Sequence, residues 1–303
     1  MPVNELEVHP YLDYYKGFGQ ISNDYYRGII IGSFPIYAIT NTVNQQNELV
    51  EERLVKEAAH MRFFYGSKKS DLWKYVGLAL NGTDPRKKDE EFLDSEQAAI
   101  NSAKLLYANQ LLMTDVLYRT NRKLKSADDK DLMLMSNSDW VKQKLSLNKQ
   151  LVLLLRENVG ITDIYFTSTS VSTKGPLYWF KEIFSQKFQS GVPFYAGKRS
   201  WSVLATVDFG DDDIREYNLF FLPTPKARGL HWASNRTYMF EKYVASQFPD
   251  FYNEINLIPK SRFTSAQKQR LSNLRVKMLV DAYKQAICYS NIKFDGSNLL
   301  TEK

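Results

Sequence analysis

The chain has 303 residues, 44% of them hydrophobic and 14% aromatic, which supplies ample apolar area for one large core and excludes a disordered composition. Lys and Arg number 40 against 34 Asp and Glu, a formal charge of +6 that suits a phosphate-bearing partner without requiring one. The single cysteine, Cys288, excludes an internal disulfide framework and a Cys-cluster metal site. The scattered histidines His9, His60 and His231 argue against a His-based zinc site, and the longest aliphatic run, Leu151 to Leu155, is far too short to span a bilayer.

The opening residues MPVNELEVHPYLDYY contain no apolar signal core, so a cytoplasmic protein is expected. Residues 1–26 carry Tyr11, Tyr14, Tyr15, Tyr25 and Tyr26 and read as a short helix or a wrapping arm. Next comes RGIIIGSFPIY, Arg27 to Tyr37, in which three β-branched residues run into a glycine and a proline follows three positions on. This pattern predicts a buried strand over 27–32 that halts at a Gly-x-x-Pro corner and presents backbone N–H groups at the carboxyl edge of a sheet.

The charged stretch 45–60 reads as a helix or a loop elaboration. Arg62 to Trp73 leads into WKYVGLAL, a predicted helix, and 81–91 (NGTDPRKKDEE) reads as a solvated loop. A helix is expected through 95–112, then a segment from Met113 to Tyr118 and a polar loop over 119–131. Helical apolar spacing marks 140–157, which stops at Asn158-Val159-Gly160. A second strand is Asp163 to Thr167, and a helix with Leu177, Trp179, Phe180 and Phe184 follows. Strands near 201–208 and 216–222 flank the acidic turn Gly210 to Asp213, and the last one exits through LPTP, Leu222 to Pro225. Basic and aromatic residues and C-terminal helices, including 264–289 with Cys288 as an inert buried thiol, complete the chain.

Strands separated by helical stretches predict an α/β fold with a mostly parallel sheet covered on both faces. Ligands of such sheets bind beyond the carboxyl ends of the strands. The corners at Gly32, Thr167 and Leu222 are therefore expected to face one crevice, occupied by something anionic or by a planar ring.

Three segments together resemble the uracil-DNA glycosylase superfamily. IIIGSFP, Ile29 to Pro35, is similar to the strand-then-Gly-x-x-Pro motif that contacts the target base. FFYGSKKSDLW, Phe63 to Trp73, resembles the Tyr-Gly-Asn-x-Phe-Trp segment of the mismatch-specific and hypoxanthine-removing branches. LPTPKARG, Leu222 to Gly229, resembles the late His-Pro-Ser-Pro loop that enters the minor groove. A weaker fourth match is TDVLYRTNRKLKSADD, Thr114 to Asp129.

The resemblance implies an α/β fold, a three-layer α/β/α sandwich around a central, mostly parallel four-stranded sheet. It implies one domain over 1–303, with a motif-bearing core of about 27–245 and a helical extension over 246–303. The implied activity is that of a monofunctional DNA glycosylase, which flips a base out of DNA and hydrolyses its N-glycosidic bond to leave an abasic site. No metal or organic cofactor is implied. DNA is the expected partner, with no membrane contact, and a monomer is the expected state.

Extruding a base costs on the order of a few kcal/mol and then requires a ring to stack on, donors to read the base edge and a loop to fill the gap. Gly32, Ser33 and Phe34 are the candidates for the base-facing corner and Tyr65 for a pocket wall. Thr224, Lys226, Arg228, Leu230, His231, Trp232 and Arg236 are the candidate DNA contacts, Arg228, Leu230, His231 and Trp232 as wedges and Lys226, Arg228 and Arg236 on phosphates.

The catalytic positions depart from the superfamily pattern. Phe34 stands where the corner carries Asp or Asn, Ser70 stands where the second motif carries Asn, and Leu222 replaces the late-loop histidine. Asp71, with Ser70 beside it, is the first candidate to act on water or on the sugar cation; the alternatives are Asp115 or Asn41, or a base already modified so that it leaves without strong assistance. Asp71 and Ser70 equally suit the cap of the helix that begins near Leu72, and Trp73 is assigned to the core. The target base stays open between uracil or hypoxanthine and a modified pyrimidine such as occurs in phage DNA, the latter implying antiphage defence. The other functional reading is a catalytically silent DNA- or base-binding module on the same fold.

Overall fold

The structure is a computed structural model that describes residues 6–10, 12, 25–35, 37–44, 46, 48–52, 61, 63–67, 70–120, 132, 146–168, 175–184, 188–190, 202–223 and 238–288. In chain order the strands are β1 (Leu6–Val8), β2 (Gly28–Gly32), β3 (Asn41–Val43), β4 (Leu49–Glu52), β5 (Lys87–Lys88), β6 (Glu91–Phe92), β7 (Leu111–Asp115), β8 (Leu117–Thr120), β9 (Ser146–Leu147), β10 (Asp163–Phe166), β11 (Phe188–Ser190), β12 (Ser202–Asp208) and β13 (Ile214–Phe221). The helices are α1 (Leu72–Leu80), α2 (Ser95–Ala108), α3 (Gln150–Glu157), α4 (Pro176–Phe184), α5 (Tyr238–Gln247), α6 (Pro249–Ile255) and α7 (Ser265–Cys288).

Alternation along the isoleucines of β2 organises the main core. Ile29 and Ile31 face one side with Leu112, Ile164, Phe166, Leu219 and Phe221, against Leu151 and Leu155 of α3 and Leu177, Phe180 and Phe184 of α4. Ile30 faces the other side with Met113, Tyr165 and Phe220, against Leu72, Trp73 and Val76 of α1, Leu106 of α2 and Leu279 and Tyr283 of α7. A strand buried on both faces reads as one unbroken apolar run, which is why GIIIG carries no polar residue.

The fold is mixed α/β, and its main sheet is mostly parallel, in the order β11-β12-β13-β10-β2-β7. β13, β10, β2 and β7 are parallel neighbours, and β12 and β11 extend the sheet antiparallel on one side. The sheet therefore has six strands where four were expected. One addition is β7, which begins at Leu111 inside the stretch read as helix through 112 and continues into the segment from Met113. The helix ends at Ala108, and Gln110 in a left-handed conformation (φ 56°) turns the chain into the sheet. LLMTD has no polar alternation, so its periodicity cannot separate a buried strand from a buried helix.

A second sheet, antiparallel throughout, was not anticipated; its order is β4-β3-β1-β8-β9. Residues read as an arm supply β1, and part of the 45–60 stretch read as helix or loop supplies the exposed strand β4. Of the predicted helix 140–157, the described part holds β9 at Ser146–Leu147 and a helix over Gln150–Glu157, while 140–145 lie outside the described residues. The two sheets share one continuous piece of chain. β7 leaves the parallel sheet after Asp115, and β8 enters the antiparallel one at Leu117. Val116 N donates to Gly32 O (2.9 Å) and Leu117 N to Ser33 O (3.1 Å), which laces this crossing to the end of β2.

The C-terminal helices build their own cluster from Phe240, Tyr243, Phe251, Ile255, Leu271 and Met278, while the far end of α7 packs into the main core. Cys288, expected to be buried, is exposed at the end of α7. Among the described residues no helix is long and apolar enough to cross a membrane.

Buried tyrosines set an alkaline limit on this fold. Burial pushes the Tyr217 hydroxyl up to about 12, against the opposing pull of the Arg215 guanidinium. Burial also raises Tyr75, Tyr243 and Tyr283, reinforced at Tyr75 by Asp71 and at Tyr243 by a hydrogen bond to Asp281. Unfolded tyrosines ionise near pH 10, so above that value the folded chain holds protons that the unfolded chain has lost. This stabilisation is complete below about pH 10 and disappears as pH rises through the folded values. Denaturation midpoints are expected to fall between pH 10 and about 12, and to fall less steeply in Tyr217→Phe.

Candidate functional site

Four parallel strands bring Asp115, Gly32, Thr167 and Leu222 to one edge. Gly32 and Asp115 are register partners, Thr167 N donates to Ile31 O (3.1 Å), and Leu222 N donates to Phe166 O (2.8 Å). At Gly32 the requirement is for space. A Cβ there would collide with Asp115 Oδ1 and come within 2.5 Å of the Tyr65 hydroxyl and 2.7 Å of its Cε2.

Tyr65 reaches this corner from a tight turn. Its φ is 53°, a conformation that non-glycine residues adopt only when their surroundings hold them there. Met61 N donates to Gly66 O (2.8 Å) and Gly66 N to Phe63 O (3.0 Å). The buried Trp73 indole donates to Phe64 O (2.7 Å) and ties the turn to α1, so the core assignment of Trp73 holds. The Tyr65 and Thr167 hydroxyls share a hydrogen bond of 2.5 Å.

Asp115 is 1% exposed, and each part of it but one is held. Its carbonyl accepts from Asn148 Nδ2 (2.9 Å), which also reaches Thr114 Oγ1 (3.2 Å). Its Oδ2 pairs with Nε2 of the buried His9 at 2.9 Å. The His9 ring meets Phe34 edge-on at 5.9 Å and Phe64 at 5.2 Å. Oδ1 is buried and has no hydrogen-bond partner among the described residues. A buried carboxylate is costly unless its oxygens are satisfied, so an oxygen left open beside a glycine is a ready acceptor for an incoming group. Phe34 and Tyr65, beside this corner, are half-buried.

Five of the candidate residues thus meet at one corner: Gly32, Ser33, Phe34, Tyr65 and Asp115. Asp71 and Ser70 occupy a neighbouring position. Asp71 precedes α1 without capping it by its side chain, and Ser70 Oγ instead accepts a long bond from Leu72 N (3.4 Å). Arg86, buried and paired with Asp84 at 2.8 Å, clamps Ser70 by donating to its carbonyl (2.7 Å). Asp71 lies beside Tyr75, at the seam of α1 with α7, where Tyr283 donates to Pro223 O (2.8 Å). Asn41 sits in β3 of the second sheet, opposite Val8 and Glu52. Thr224, Lys226, Arg228, Leu230, His231, Trp232 and Arg236 lie outside the described residues; the strand leading to them ends at this edge.

Residue-by-residue reading placed Thr167 at this edge but missed His9 and Asn148 as members of the corner. His9 is 106 positions from Asp115, and no local pattern connects them. Comparison with protein families, curated proteins and solved structures found no match.

Proposed function

We propose that the protein is a monofunctional DNA glycosylase on a three-layer α/β/α sandwich like that of the uracil-DNA glycosylase superfamily, with Asp115 in preference to Asp71 as the working carboxylate. The observation that carries this reading is the open oxygen of Asp115, buried at the carboxyl edge between Gly32 and Tyr65 while the rest of the residue is fixed. Breaking an N-glycosidic bond builds positive charge on the sugar, and a pre-positioned carboxylate stabilises that charge without reorganising.

In this reaction the bond between the base nitrogen and C1′ breaks and its electron pair leaves with the base. Water adds to C1′, and its proton passes to Asp115 and from there to the departing base or to solvent. Phe34 and Tyr65 offer ring surfaces to the flipped base, and backbone groups after Gly32 face its edge. The segment from Thr224 to Arg236 supplies the phosphate contacts and the wedge.

The test is a panel of duplex and single-stranded oligonucleotides, each with one altered base (uracil, hypoxanthine, hydroxymethylated or glucosylated cytosine), treated with alkali after incubation. Strand breaks at one altered base are expected. Tight binding without breaks on the whole panel favours the silent module and overturns the enzyme reading.

A further inference from the structure

We propose that His9 is the positioning residue for Asp115: its Nε2–H donates to Oδ2 and thereby holds Oδ1 open toward the Gly32 corner. This deepens the glycosylase reading and rests on it for its kinetic consequence.

The imidazole is held more firmly than packing alone requires. β1 pairs with β8 through Glu7–Thr120 and Val8–Arg119, and the very next backbone N–H, that of His9, donates to Tyr118 O (2.8 Å). The β8 strand is itself the continuation of β7, which ends at Asp115, so histidine and aspartate hang from one strand pair. Phe34 and Phe64 flank the ring, and its side chain is 0% exposed against 2% for Asp115. With backbone and ring both fixed, Nε2 reaches one carboxylate oxygen at 2.9 Å. The carboxyl plane is then set, and the second oxygen points where a Gly32 Cβ would stand. A group oriented this way acts on a bound reactant without a search through rotamers, and misplacement by about 1 Å costs on the order of 100-fold in rate.

A role confined to packing makes the opposite prediction from a role in orientation. Between two phenylalanine rings, leucine suits the space and glutamine does not. Only glutamine, through its side-chain N–H, can still donate to Oδ2. A role in packing alone would therefore make His9→Leu at least as stable as His9→Gln, whereas leucine leaves both oxygens of the buried Asp115 unsatisfied and is expected to be the less stable of the two. In turnover of the base identified by the oligonucleotide panel, His9→Gln is expected to stay within about tenfold of the parent kcat. His9→Leu is expected to fall about 100-fold or more, with KM changed little in either. If the two variants share one kcat, or if leucine is the more active, the positioning role fails while the glycosylase reading stands.

A second readout needs no substrate. In the 15N-labelled full chain, His9 Nε2 is expected to carry a slowly exchanging proton whose resonance shifts in Asp115→Asn. A His9 Nε2 without that proton, or one indifferent to Asp115→Asn, overturns the proposal even where no oligonucleotide is cleaved.

Discussion

Asp115→Asn is expected to lower abasic-site formation by about 1,000-fold while leaving the chain folded. The substitution is isosteric, so the contacts to Asn148 and the packing of Phe34 and Phe64 on His9 survive it. What disappears is the charge that, in the proposed reaction, faces the sugar as its bond to the base breaks. Stability should hold or rise, because a carboxylate buried with one unsatisfied oxygen is a poor contributor to folding, and its removal is a common stabilising change at active sites. Single-turnover cleavage followed by alkali gives the first quantity, and thermal unfolding of the same preparation gives the second. Full activity in Asp115→Asn, together with its loss in Asp71→Asn, would return the role to the seam between α1 and α7.

Gly32→Ala is expected to destabilise the fold by about 1–3 kcal/mol and to reduce activity about 100-fold. The added methyl meets Asp115 Oδ1 and the Tyr65 ring, and neither gives way freely. Asp115 is tied to His9 and Asn148, and Tyr65 is tied to Thr167 from a left-handed turn. One of the two must move, and either movement disturbs the corner. Gly82→Ala is the matched control. Gly82 has φ 81° with no atom within 4 Å of the added methyl, so its cost is conformational, about 1 kcal/mol, and activity is expected to be unchanged. Equal activity losses in the two variants would mean that the corner has no special standing.

The strands that punctuate themselves are legible in the amino-acid order alone. GIIIG announces a doubly covered strand by its unbroken branched residues and its terminal glycine, and β2 spans Gly28–Gly32 accordingly. Leu72–Leu80 is recognisable from its apolar spacing, and the β12–β13 pair from the acidic turn between two apolar runs. Gly32, Tyr65 and Asp115 also stand out along the chain, each on its own motif.

Their convergence is a different kind of fact. β7 is hidden because a fully buried strand and a buried helix end share one composition, and only hydrogen bonding to β2 distinguishes them. β1 is hidden because three residues carry too little pattern to be noticed, and its strand character comes from the partners on either side. The preference of Asp115 over Asp71 follows the same logic. Both are acidic residues next to a family-like motif, and chemistry along the chain favours the one beside the missing Asn. Folding carries Asp71 to a tyrosine seam and sets Asp115 level with Gly32, with a histidine from the far end of the chain locking one of its oxygens. Local composition governs which segments become strands and helices, since burial and backbone preference act over a few residues. Which carboxylate stands open depends on contacts between residues far apart in the chain, and those arise only when both sheets have assembled.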